Sequence, residues 1–320
     1  MSLHTPLCDQ LGIEKPVFLA GMGGVAYADV CAAVSEAGGF GTLGMATGTP
    51  DGIREEMRKV RSLTDRPFGV DLLAALPSTV DAAIDIIIEE GAAAFIAGLG
   101  VPEKVIGRCH DAGLLVMSMC GKVAHAVRAA EAGCDVVVAQ GTEAGGHTGR
   151  VAGIALIPQI VDAVDIPVLA AGSIVDGRGL AAALAFGADG VWMGTRFIAS
   201  HEARAAEGYK KRITEIRDED TAVTRGYSGK PMRVVRNRYV DEIEAHPEQI
   251  LPFPDQMTAS MQDGLLAPLG GQQDIDTDVA CLPCGQGAGG IHEILSCAEI
   301  VDEVMRDAEA AIDRISQLRK

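Results

Sequence analysis

Val136-Val137-Val138-Ala139-Gln140-Gly141-Thr142-Glu143-Ala144-Gly145-Gly146-His147-Thr148-Gly149 is the stretch whose reading decides the fold. It starts as an unbroken apolar run, which is how a strand buried on both faces of a parallel sheet reads. It then breaks into a loop with four glycines and one histidine. Glycine lets backbone approach a ligand closely and adopt positive φ. Histidine is the side chain most easily poised for proton transfer near neutral pH. A buried strand ending in such a loop is expected at the active-site rim of an α/β enzyme. The bland alternative is a tight strand-to-helix turn with a surface histidine, and the rest of the chain decides between the two.

Working outward, short apolar strands are expected at 17–20, 40–44, 68–73, 93–97 and 114–119 before this stretch, and at 167–171 and 190–193 after it. Each ends in glycine or a polar loop. Helices are expected between them at 27–37, 51–63, 78–90, 103–112, 122–132, 154–164 and 179–186, with Asp51 placed to cap the second of these. Alternating β and α at this spacing implies a parallel sheet. Eight units predict a closed (β/α)8 barrel, with an open sheet of nine elements as the alternative. The dinucleotide fingerprint Gly-x-Gly-x-x-Gly is not cleanly present near Gly21-Met22-Gly23-Gly24.

After Phe197 the character changes. Residues 201–250 are charged and mostly helical in pattern, with basic clusters at Lys210-Lys211-Arg212 and Arg233 to Arg238. Residues 251–279 carry Pro252, Pro254 and Pro268. We read a barrel over 1–204 and 281–320, and a helical cap over 205–280; a peripheral helical appendage is the alternative. An amphipathic helix from 297 to 318 closes the chain.

The 320 residues are 48% hydrophobic and 22% charged, an ordinary globular composition, with only 4% aromatics. That favours tight helix-on-sheet packing. The net charge of −17 disfavours nucleic acid and anionic membranes as partners. It leaves room for an anionic cofactor held by backbone N–H groups. No apolar run approaches the ~20 residues of a membrane span. The first ten residues lack a secretory pattern, and the eight scattered cysteines suggest no disulfide framework, so a cytoplasmic location is expected. Cys281-x-x-Cys284, with His292 and Cys297, makes a weak zinc set, because structural zinc usually shows two tight ligand pairs. No metal is expected.

Sites in (β/α)8 barrels lie at the C-terminal strand ends, often with a phosphate after strands seven and eight. Here those ends are Gly172-Ser173 and Gly194-Thr195. Both offer unobstructed N–H groups, and Thr195 adds a hydroxyl. Gln140 presents an amide that can pair with a ring edge, and Lys122 can set a cation beside an electron-rich ring. A solvated lysine at the helix start is the alternative for Lys122.

These motifs resemble one family. Ala139 to His147, Ala170-Ala171-Gly172-Ser173-Ile174, Gly194-Thr195-Arg196-Phe197 and Gly285-Gln286-Gly287-Ala288-Gly289 look like the nitronate monooxygenase (2-nitropropane dioxygenase) family of FMN-dependent TIM barrels. The resemblance spans nearly the whole chain. Its superfamily also holds flavin-dependent enoyl-ACP reductases, an NADH:quinone reductase and reductases of CoA thioesters. It implies FMN, with Gly21, Met22 and Gly23 along the flavin ring and Asp71 where an asparagine is usual. It also implies flavin contacts from Gln140, Gly145 and Gly146, phosphate contacts from Gly172, Ser173, Gly194 and Thr195, and closure by Gln286 and Gly287. His147 matches the catalytic histidine. Three positions depart from the pattern: Gly21-Met22-Gly23 replaces Pro-Met, Asp71 replaces Asn, and Ser173 replaces a second glycine. A carboxylate at Asp71 is expected to disfavour an anionic reduced ring by like-charge repulsion.

The expected activity is FMN-dependent oxidation of alkyl nitronates by O2 to a carbonyl compound and nitrite, with His147 near its ordinary pKa as general base. The competing reading is an NAD(P)H-dependent reductase of an enoyl thioester (ACP or CoA) or a quinone, with the basic clusters of the cap gripping phosphates. A flavin sensor without turnover is a third. Small-molecule substrates are expected, with O2 or NAD(P)H as second reactant. The oligomeric state stays open, a homodimer included.

Overall fold

The structure is a computed structural model and describes residues 3–46 and 48–318; the outermost residues of the expected barrel segment, 1–2 and 319–320, lie outside it. Eight short parallel strands form its centre: β1 (Val17–Leu19), β2 (Gly41–Gly44), β3 (Phe68–Leu73), β4 (Ala94–Gly98), β5 (Leu115–Cys120), β6 (Val136–Gln140), β7 (Val168–Ala171) and β8 (Gly190–Met193). Neighbours in sequence are neighbours in the sheet, and β1 pairs with β8 through Val17 and Val191. The ring closes where Leu19 N–H donates to Phe40 O and Phe40 N–H donates to Val17 O, both at 2.9 Å. The open nine-element sheet is thereby excluded.

Strand alternation sorts the side chains into two cores. Phe18, Ile96, Met117, Val138, Leu169 and Trp192 point inward and fill the barrel. Val17, Leu43, Val70, Phe95, Val116 and Val137 point outward and meet the helices. The same parity carries Asp71, two residues beyond Gly69, and Gln140, two beyond Val138, to the inner face at the top of the barrel. The bottom is plugged by α1 (Pro6–Leu11), whose Leu7, Cys8 and Leu11 join the inner core.

The ring helices are α2 (Ala28–Glu36), α3 (Pro50–Leu63), α4 (Pro77–Glu89), α5 (Ile106–Asp111), α6 (Val123–Glu131), α7 (Gly153–Val161) and α8 (Gly177–Ala185). Asp51 lies in the first turn of α3. Thr49 is the cap, its Oγ1 accepting from Gly52 N–H at 3.2 Å, because Pro50 already occupies the first helical position. The eighth place in the ring is taken by the last helix, α13 (Cys297–Ser316), which packs between α8 and α2. A Cβ on Gly177 would fall 2.2 Å from Ala308 N, so the α8–α13 crossing requires glycine there.

Between β8 and α13 the chain makes α9 (Thr195–Ile198), α10 (Glu207–Glu215), the strands β9 (Thr221–Thr224) and β10 (Met232–Val235), α11 (Arg238–Ala245) and α12 (Asp255–Gln262). The charged pattern of 201–250 reads as mostly helical; the structure places an antiparallel hairpin within it. That hairpin exists because β10 finds a partner outside the segment, the two-residue strand Gly146–His147. All eight cysteines are buried and unbridged.

Candidate active site

The C-terminal ends of the barrel strands open into a cavity of about 1100 Å³, roofed by the segment that follows β8. Gly21, Met22 and Gly23 line it after β1, Asp71 at β3, Lys122 after β5, Gln140, Gly145, Gly146 and His147 after β6, Gly172 and Ser173 after β7, and Gly194 and Thr195 after β8. Gln286 and Gly287 do not line it. They stand behind the wall, where Gly287 N–H donates to Ser173 Oγ at 2.9 Å and Gln286 N–H donates to Glu143 O at 3.0 Å. Their backbone thereby braces the loops that carry Ser173 and Glu143.

The loop that carries His147 is pinned from every side. Thr142 Oγ1 donates to Gly149 O at 2.9 Å, and Thr148 Oγ1 donates to Gly141 O at 3.1 Å. Gln140 Nε2 donates to His147 O at 2.7 Å, so part of the expected ring-edge amide is spent on holding the loop. Glu143 is a hub that pattern reading passes over. Its carboxylate accepts from Gly153 N–H at 3.0 Å, at the start of α7, and its carbonyl accepts from Ser173 Oγ at 2.8 Å. Arg233 of β10 reaches in to donate to Thr142 O at 3.1 Å. Gly145 sits so close to the 284–285 backbone that a Cβ would fall 2.8 Å from Gly285 N.

His147 is half-buried, and its Nε2 lies 2.9 Å from Ser228 Oγ. Ser228 Oγ also reaches Lys230 O at 3.2 Å, which assigns the ring proton to Nε2 when the hydroxyl donates to that carbonyl. Burial, and then the charge of Lys230, push the imidazole down to about 4. The expectation of a histidine near its ordinary value is therefore corrected: this ring is neutral throughout the physiological range. Asp71 is corrected in the opposite sense. Burial holds its carboxyl well above the usual range. This upward shift weakens the expected like-charge repulsion, because it favours the neutral form of the carboxyl.

Ser173, standing where a second glycine is expected, adopts φ +52°, a left-handed conformation that costs about 1–2 kcal/mol in a residue with a side chain. Its hydroxyl, bonded to both Glu143 O and Gly287 N–H, offsets that strain. Thr195 Oγ1 accepts from Gly285 N–H at 3.0 Å. The two glycine loops after β7 and β8 are thus fixed by the 285–287 segment.

The basic clusters of the cap do not face the cavity. Lys210 is buried and reaches His201 O at 3.3 Å, while Arg236 and Arg238 pair with Asp241 and Glu242. The basic residues that do line the cavity, besides Lys122, are His125, Arg128, Arg150 and Lys230. The first three were legible only as ordinary surface residues. Cys281 and Cys284 are buried, and burial pushes the Cys284 thiol up to about 12. Among the described residues no three His, Cys, Asp or Glu side chains are grouped to hold a metal ion, and no helix is long and apolar enough to cross a membrane.

The sequence profile of the nitronate monooxygenase family matches residues 4–307. A probable nitronate monooxygenase of Staphylococcus saprophyticus is 33% identical, over 80% of this chain and 85% of its own length. The (3aS,4S,5R,7aS)-5-hydroxy-7a-methyl-1-oxo-octahydro-1H-indene-4-carboxyl-CoA dehydrogenase of Mycobacterium tuberculosis is 35% identical, over 99% of both chains. Among solved structures, FabK from Thermotoga maritima superimposes with a TM-score of 0.91 at 34% identity, over 99% of this chain and 100% of that one.

Proposed function

Because this chain belongs to the nitronate monooxygenase family and is an oxidoreductase, we propose that it binds FMN and oxidises alkyl nitronates with O2 to a carbonyl compound and nitrite. The residues present fit the cofactor. The cavity is roomy enough for a tricyclic ring and its phosphate tail, and its floor mixes apolar Met22, Met119 and Trp192 with the polar edge groups of Asp71 and Gln140. Gly172-Ser173 and Gly194-Thr195 stand on adjacent strands and offer N–H groups to a phosphate. Bound FMN supplies the electron acceptor.

The observation that carries the reading is His147, a neutral imidazole locked by Ser228 on the wall of a glycine-lined cavity. Toward a neutral nitroalkane, its free ring nitrogen takes the proton on the carbon beside the nitro group. Toward a preformed nitronate, the ring orients the nitro oxygens by hydrogen bonding. His147→Asn keeps a donor but loses the base. Turnover of the neutral nitroalkane is expected to fall by ~10²–10⁴-fold, and turnover of the preformed nitronate by much less. Equal losses with both substrates would remove His147 from the proton-transfer role.

A second reading is an NAD(P)H-dependent reductase of an enoyl thioester or quinone. Its support is the size of the cavity, about 1100 Å³ against the ~300–1,000 Å³ of an ordinary ligand pocket, together with an apolar roof from Met257, Met261, Leu266 and Leu269. A flavin and a small nitronate leave much of that space unfilled. Stoichiometric NADH or NADPH consumption separates the two readings.

A further inference from the structure

The cavity mouth carries one sign of charge. Lys122 stands at the start of α6, Arg128 follows on that helix, Arg150 ends the loop beyond His147, and Lys230 lies between β9 and β10. Among the residues lining the cavity the sole carboxyl belongs to Asp71, on the floor. This is a local inversion in a chain of net charge −17.

Three loops bring these cations together. The loops at Gly121 and Gly149 touch so closely that a Cβ on Gly149 would fall 2.7 Å from Gly121 O. Thr148 N–H donates to Pro231 O at 3.3 Å, seating the Lys230 loop on the same edge. The cations are only partly compensated. Arg128 shares Glu103 at 2.7 Å, and Lys230 lies 4.1 Å from the Phe253 ring centre. Among the described residues Lys122 and Arg150 form no ion pair. The neighbouring imidazoles register this field: after burial, Lys122 and Arg128 hold His125 below its ordinary value, and Lys230 does the same to His147.

We propose that this rim is a second anion subsite, separate from the glycine loops after β7 and β8, and that it takes the pyrophosphate of a nucleotide-bearing reactant. The proposal rests on the reductase reading for the ligand's role, and on geometry alone for its existence. A lone carboxylate engages one or two such groups. A pyrophosphate presents several oxygens and more than one charge, which suits two guanidiniums and two ammoniums on three loops. CoA and NAD(P)H both carry this group, so the chemistry is shared between a carrier-bound substrate and a dinucleotide donor.

The test is calorimetric titration of the flavin-loaded protein with ADP, adenosine, CoA, pantetheine, NADH and NADPH. ADP is expected to bind at least ~10-fold more tightly than adenosine, as charge-assisted hydrogen bonds predict. Arg150→Ala is expected to weaken ADP by ~5–10-fold with flavin absorbance retained, and Arg150→Glu by more. Added salt is expected to weaken binding to the unaltered protein, which checks the subsite without any variant. CoA binding above pantetheine, with weak NAD(P)H, assigns the subsite to a carrier; the reverse assigns it to a dinucleotide. Equal affinity for ADP and adenosine, or ADP affinity unmoved by the substitutions, overturns the proposal. Absence of NAD(P)H-driven flavin reduction alongside tight ADP binding overturns the reductase reading while leaving the subsite standing.

Discussion

Burial moves the titration of His147 and Asp71 in opposite senses, and both shifts make predictions. With its imidazole pushed down to about 4, His147 is a base that is already unprotonated at neutral pH. The kcat/KM for a neutral nitroalkane is expected to be level from pH 8 down past 6.5 and to fall only as pH drops through about 4. An acid limb near 6.5 would contradict the environment described for it. Asp71 shifts the other way, above 3.8. The folded chain keeps this proton while the unfolded chain releases it, so stability declines as pH rises above 3.8 toward the native value. Asp71→Asn removes that decline. Urea midpoints across pH 4 to 8 are expected to favour the Asn variant increasingly toward the alkaline end, with no widening gap if Asp71 were ionised in the fold. Both residues were legible as candidate site members, His147 from its glycine loop and Asp71 from the family resemblance. The shifts in their titration were not, because they follow from burial in the assembled fold and, for His147, from the charge of Lys230, far away in sequence.

At the scale of elements, the eight strands were legible because each is a short apolar run bounded by glycine or a polar loop, as in Val136–Ala139. The β9–β10 hairpin was not. Thr221–Thr224 and Met232–Val235 are four residues each, and their pairing is fixed by contact with Gly146–His147, some 85 residues away by register. Arg233 ties these parts together through Thr142 O and Thr221 Oγ1. Arg233→Ala is expected to cost about 1.5–3 kcal/mol, read as a lower urea midpoint, and to speed hydrogen exchange over 142–148. A variant with unchanged exchange there would show that the hairpin does not brace the His147 loop. Gly24 links the first barrel loop to the roof. It adopts φ +78°, and a Cβ would fall 2.0 Å from Pro268 O. Gly24→Ala is expected to destabilise by about 2–4 kcal/mol, combining left-handed strain with overpacking. A thermal midpoint equal to that of the unaltered chain would contradict this close approach.

For the whole molecule, the long insertion between β8 and α13 sets the architecture. It separates the eighth strand from its ring helix, and its ends meet again where Ser200 pairs with Leu295. It also roofs the cavity and supplies Ser228 and Lys230, the two groups that fix and tune His147. The barrel supplies the glycine cradle, and the insertion supplies the environment. The central claim, that this cradle holds FMN and that the site passes electrons from a nitronate, is tested most directly by the anaerobic absorbance spectrum of the flavin-reconstituted protein, mixed separately with ethylnitronate and with NADH or NADPH. Flavin bands are expected to bleach with the nitronate and to persist with the pyridine nucleotides. A protein that stays colourless after reconstitution, or one that bleaches with NADH or NADPH and not with nitronate, would contradict that claim.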